Sequence, residues 1–186
     1  MSVARTVISF SLSPDSIEAA IKQVNAYKRD FEKNCERLRK LVAERIAWSA
    51  ASGFSTALTS DIFAGGSPPP NNVSVRVEHM DRVSVVFAEG EQAVFIEFGA
   101  GVYYNGSAGS SPHPWGTEHG YLIGEYGKGY GKKNVWALPE ELWTEMGKNG
   151  KMRPALTRGT PAAMPMYRGM RDAIRVINSL AQEVFG

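Results

Sequence analysis

One carboxylate, Glu97, stands inside the apolar run Phe95-Ile96-Glu97-Phe98 and is followed at once by Gly99-Ala100-Gly101. Burying a carboxylate among apolar side chains is costly, so such a group acts either as a general acid in a dry pocket or as an anchor whose oxygens find donors. The local sequence sets no second carboxylate or histidine beside it. That favours the anchor, with Arg158 or Arg168 as the expected partner of a buried ion pair. Gly99 and Gly101 free the backbone for the bend that joins a packed element to a loop.

The remaining chemistry-bearing residues are sparse. His79, His113 and His119 lack the i, i+4 helical spacing or the cysteine partners of a zinc site. Gly124-Glu125-Tyr126-Gly127-Lys128-Gly129-Tyr130-Gly131-Lys132 fits neither nucleotide-binding glycine pattern and follows no βαβ unit. No serine occupies a G-x-S-x-G elbow, and Cys35 falls on the apolar stripe of a helix, where it reads as core rather than nucleophile. No catalytic residue, metal or cofactor is therefore expected. Lys128, Lys132 and Lys133 beside Tyr126 and Tyr130 form a small basic-aromatic patch, read as a solvated loop in preference to a DNA contact.

The elements that must position Glu97 follow from periodicity. Val3 to Leu12 alternate and predict a first strand. Ser13-Pro14-Asp15 supplies an N-cap oxygen, a proline at the first helical position and an acid facing the helix dipole. The helix it opens carries Ile17, Ile21, Val24, Tyr27, Phe31, Cys35, Leu38, Val42 and Ile46 at spacings of three and four. At roughly 35 residues and about 50 Å, it exceeds what a compact domain needs, so it protrudes, bends or packs on a neighbouring subunit. Gly53 is expected to end or kink it, with a further short helix before Gly65-Gly66-Ser67-Pro68-Pro69-Pro70.

Val73, Val75, Val77 and Val83, Val85, Phe87 predict a hairpin turning at Glu78-His79-Met80-Asp81. Ten of the nineteen glycines then fall between Gly99 and Gly131, interleaved with Tyr103, Tyr104, Trp115, Tyr121, Tyr126 and Tyr130. Rings this numerous in a loop are useful where a partner covers them. Pro139 suits the start of a short helix, and Pro165 to Val184 has the spacing of a closing amphipathic helix. The expected fold is α+β, an antiparallel sheet packed against a long N-terminal and a C-terminal helix, in one domain over 1–186 with a loop excursion at about 99–134.

Composition narrows the class. A net charge of +2 gives no global field for nucleic acid, and 43% hydrophobic with 22% charged residues is ordinary for a globular chain. No apolar run approaches the roughly 20 residues of a membrane span, and Val7 to Leu12 makes a poor signal sequence. A single cysteine excludes an internal disulfide.

Taken in order, Val94 to Gly101, then Pro112-His113-Pro114-Trp115 in a glycine-rich loop, then Thr157-Arg158-Gly159-Thr160-Pro161-Ala162-Ala163-Met164-Pro165-Met166 resemble the tail-completion or neck proteins of tailed bacteriophages, including the minor tail protein Z-like group. The resemblance covers most of the chain and rests on the order of short motifs. It implies a non-catalytic virion protein joining tail to head, as a homo-oligomeric ring around the DNA channel, with non-specific DNA contact there. It also implies assembly in the host cytoplasm, no membrane, and neck and tail partners such as the terminator, connector and tail tube. Glu97, Phe98, Gly99, Gly101, Tyr103, Tyr104, Trp115, Tyr121, Arg158 and Gly159 are the interface or joint residues so implied. A tail-terminator or head-tail connector is the alternative, and a phage-borne hydrolase using Glu97 with His113 or His119 is a third reading.

Overall fold

The computed structural model describes residues 7–59, 70–99, 113–116, 136–137, 144–146 and 148–186. Helix α1 runs over Pro14–Thr56, and its start matches the sequence signal, the Ser13 side chain accepting the Ser16 N–H at 3.4 Å. Ser16 Oγ in turn accepts the Ser11 N–H at 2.8 Å, a reciprocal cap that satisfies donors on both sides of the entry. Over the described part of the expected first strand no strand forms: residues 7–11 have no regular structure, and Val7, Phe10 and Leu12 are 80, 61 and 90% exposed. Alternation makes a strand only where a neighbour completes its hydrogen bonds, and none lies alongside among the described residues.

Gly53 does not break α1. Its missing side chain serves packing, since a Cβ there would sit 2.8 Å from the Cβ of Pro165. Strands β1 (Ser74–His79) and β2 (Ser84–Glu89) form the expected antiparallel hairpin, paired from Ser74 with Glu89 to His79 with Ser84. The turn lies two residues later than the valine pattern implied, closed by the Met80 N–H on the Val83 carbonyl at 2.8 Å. Helix α2 (Ala93–Phe98) follows, and the Glu97 run is therefore one short helical segment ending at Gly99, whose φ is 80°.

Two small antiparallel ladders that periodicity did not reveal join β3 (Trp136–Ala137) to β6 (Leu156–Thr157) and β4 (Thr144–Met146) to β5 (Met152–Pro154). The short helix expected at Pro139, the proline-rich tract before Pro70 and the basic-aromatic patch lie outside the described residues. Helix α3 (Pro165–Phe185) closes the fold as the spacing predicted.

Phe54, Ala93 and Ile96 form the core, with Ala57, Val73, Val75, Ala88, Ala163 and Met166 packed around them. The core thus gathers the C-terminal end of α1, the hairpin, α2 and the start of α3. Small residues bring the two long helices close: a Cβ at Gly169 would lie 2.8 Å from the Ile46 carbonyl, and Ala50 and Ala173 are buried at 0 and 1% exposure. Cys35 is exposed, contrary to its reading as core, because it lies on the part of α1 that the core does not reach.

Candidate functional site

The start of α3 lacks a cap of its own. Met164 occupies the N-cap position with φ 53° and ψ 46°, offers no side-chain acceptor, and no acid lies in the first turn. A helix N-terminus presents unpaired N–H groups and a partial positive charge, and buried ends need acceptors. Glu97 supplies them from α2: its Oε2 accepts the Met166 N–H at 2.8 Å and its Oε1 the Tyr167 N–H at 2.9 Å. One residue earlier, the Ile96 carbonyl accepts the Ala163 N–H at 2.8 Å. Two consecutive residues of α2 therefore hold the approach to α3.

The third donor is His113, whose Nε2 lies 2.9 Å from Glu97 Oε1. His113 Nδ1 accepts the Trp115 N–H at 3.1 Å, which places the ring proton on Nε2, facing the carboxylate. Glu97 and His113 are 6 and 4% exposed. The imidazole is enclosed by rings, with Phe98 at 4.3 Å, Tyr167 at 5.4 Å and Trp115 at 5.8 Å between centroids, and Trp115 stands edge-on to Tyr167 at 5.5 Å.

The buried ion pair expected with Arg158 or Arg168 is corrected by this geometry. The partners of Glu97 are His113 and two backbone N–H groups, while Arg158 is exposed and Arg168 lines a groove with Ser49, Ser52 and Thr56 of α1. A helix terminus and a neutral donor satisfy a carboxylate without burying a second full charge, which is the less costly solution. The missing cap was legible, since Ala162-Ala163-Met164-Pro165 contains no side chain able to accept the first N–H groups. Which acceptor would come was not.

Of the other residues expected at the joint, Phe98 ends α2 against His113, and Gly99 takes a positive φ of 80° at its C-cap. Gly159 is buried with φ 114°, and its N–H reaches Thr157 Oγ1 at 2.9 Å, so the Thr-Arg-Gly-Thr turn is an ordered structure. Thr160 Oγ1 donates to the Thr59 carbonyl at 2.8 Å, tying that turn to the end of α1. Trp115 packs on its own chain and remains 38% exposed. Gly101, Tyr103, Tyr104, Tyr121 and His119 lie outside the described residues.

A carboxylate paired with a histidine also occurs in nucleophilic triads, where the far ring nitrogen takes a proton from the nucleophile. Here that nitrogen already accepts the Trp115 N–H inside a shell of aromatic rings. As bonded, the pair holds three backbone N–H groups, those of Trp115, Met166 and Tyr167. Among the described residues no cluster of metal-ligating side chains occurs, and no helix is long and apolar enough to cross a membrane. Compared with protein-family models, curated proteins and solved structures, the chain matches none.

Proposed function

We propose that the chain is a structural subunit of the neck of a tailed bacteriophage, a tail-completion protein that joins tail to head as a homo-oligomeric ring around the DNA channel. The observation that carries this reading is convergence. The three motifs on which the family resemblance rests are separate in sequence, and they meet at one junction: Glu97 from the first, His113 from the second, and the Ala163 and Met166 backbone from the end of the third, with Tyr167 just after it.

A joint of this kind suits a subunit that must present a loop in a fixed direction. The segment after Gly99 leaves α2 from a helix whose side chain and main chain are both bonded to the start of α3. A buried carboxylate with both oxygens bonded argues against the hydrolase reading, because a general acid must keep a proton or an oxygen within reach of substrate.

The test is location and mass. Antibody labelling of purified particles of the encoding phage is expected to fall at the head-tail junction, and the isolated protein to weigh as a multiple of the 20.3 kDa chain. Label on the head side or at the tail tip would move the assignment to a connector or another tail component. A strict monomer missing from particles would sink it.

A further inference from the structure

Helix α1 outruns α3. Going down α1, Pro165 meets Gly53, Gly169 meets Ala50, Asp172 binds Arg45 at 2.7 Å, Glu183 binds Arg37 at 3.2 Å, and the Phe185 ring lies 5.7 Å from that of Phe31. The helices are antiparallel, and α3 ends opposite Phe31. From there α1 continues toward Pro14 for roughly 17 residues, about 25 Å.

The apolar stripe continues along this stretch, where none of the described elements packs over it. Ile17, Ile21, Val24, Tyr27 and Phe31 are 38, 54, 51, 56 and 49% exposed. Single exposed hydrophobic residues are ordinary, but five in a line that extends an established helix-helix contact are not. Helices draw most of their stability from packing such a face, and isolated segments of this length are marginal in water.

We infer that this stripe pairs with the same stripe of a second copy of the chain, the two α1 helices lying side by side and pointing the same way. The inference rests on the homo-oligomeric part of the reading above and not on its viral part; the contact is two-fold, and a ring of more than two subunits needs a second, heterologous interface beside it. Ile17, Ile21, Val24, Lys28, Phe31 and Cys35 are spaced alternately by four and three, the seam that a second helix fits. About half of each of the four apolar seam side chains, and of Tyr27 on the seam's border, is exposed, on the order of 90 Å² apiece, so two copies would cover roughly 900 Å² from these residues together. Residues bordering the seam bring this toward the ~1,200 Å² at which stable interfaces begin.

Charge selects the direction. Glu18, Asn25 and Glu32 border one side of the seam, and Ala20, Tyr27 and Asn34 border the other. Parallel helices set the acidic border against the uncharged one, whereas antiparallel helices set it against itself and bring Glu18 opposite Glu32. Lys28 is the one charge in the uncovered seam; in the parallel pair it faces its own copy, a repulsion offset by Glu32, 3.8 Å away on each helix. A lone polar residue at such a position fixes register at some cost in stability.

The test uses the full chain with Cys35→Ser and one new cysteine at a time: Ile17→Cys or Val24→Cys in the seam, and Ala19→Cys on the opposite face. A disulfide needs Cα atoms within about 7 Å. Both seam variants, under mild oxidation, are expected to form disulfide-linked dimers at least tenfold more than Ala19→Cys, each with its own kind. Linkage only when Ile17→Cys is mixed with Phe31→Cys would mean antiparallel helices and overturn the proposal. If neither seam variant exceeds the control, native mass separates the cases: an oligomer overturns this surface and leaves the ring reading standing, and a monomer overturns both.

Discussion

The Glu97 carboxylate and the His113 imidazole meet at 2.9 Å across 16 residues of sequence, and the same carboxylate accepts the first two N–H groups of α3. A side chain borrowed from α2 thus completes a helix whose own N-cap residue has nothing to offer. Each contact alone is worth little in net terms. Removing the acceptor, however, strands one buried and two part-buried donors together.

Glu97→Gln preserves shape and removes the charge, leaving an amide NH₂ aimed at an N–H donor. The expected cost is about 2–4 kcal/mol, seen as a lower urea midpoint at unchanged slope. An unchanged midpoint would remove Glu97 from its anchoring role.

His113→Leu keeps the volume inside the aromatic shell but withdraws both the donor to Glu97 and the acceptor of the Trp115 N–H, so a loss of about 1–3 kcal/mol is expected. Because both side chains share one bond, the double variant with Glu97→Gln should fall short of additivity by at least ~0.5 kcal/mol. Strict additivity would mean that the two act independently.

The helix crossing gives a contrast between two glycines. Alanine at Gly53 gains up to ~1 kcal/mol of helix propensity, which offsets part of the clash with the Pro165 side chain 2.8 Å away. Valine at Gly169 has less propensity to gain and meets the Ile46 carbonyl, a backbone atom that cannot swing aside. Gly169→Val should therefore cost about 2–3 kcal/mol and clearly more than Gly53→Ala, measured as thermal midpoints. The reverse order would contradict the packing described.

On the hairpin, Arg76 bonds to Glu89 at 2.9 Å and also to Glu78. The hydrogen bond from Arg76 holds the Glu89 carboxyl below the usual carboxylate range. A carboxyl lowered in the folded state stabilises it above the unfolded pKa of about 4.3, and this is lost as pH falls through the lower folded value. Amide exchange in β1 and β2 should be faster in Arg76→Gln than in the parent at pH 6, by a modest factor since the pair is at the surface. The two rates, corrected for intrinsic exchange, should converge only as pH falls through the lowered Glu89 value. A gap that persists in acid would assign the effect to packing of Arg76 on the Phe87 ring, 4.2 Å away, instead.

Local signals determined much of this fold. Ser13-Pro14-Asp15 set where α1 begins, the three-and-four spacing set α1 and α3, and the valine alternation set the hairpin, because capping, dihedral preference and face periodicity all act within a few residues. The same rules, applied to Val3 to Leu12 and to Gly53, erred where the outcome depended on a distant neighbour: a strand with no partner did not form, and a glycine facing Pro165 stayed helical. Glu97 was recognisable from sequence as a costly carboxylate that needed donors. Only the tertiary structure decided that they would be His113 and the open end of α3, since hydrogen-bond partners 16, 69 and 70 residues away are fixed by packing, and sequence spacing carries no record of it.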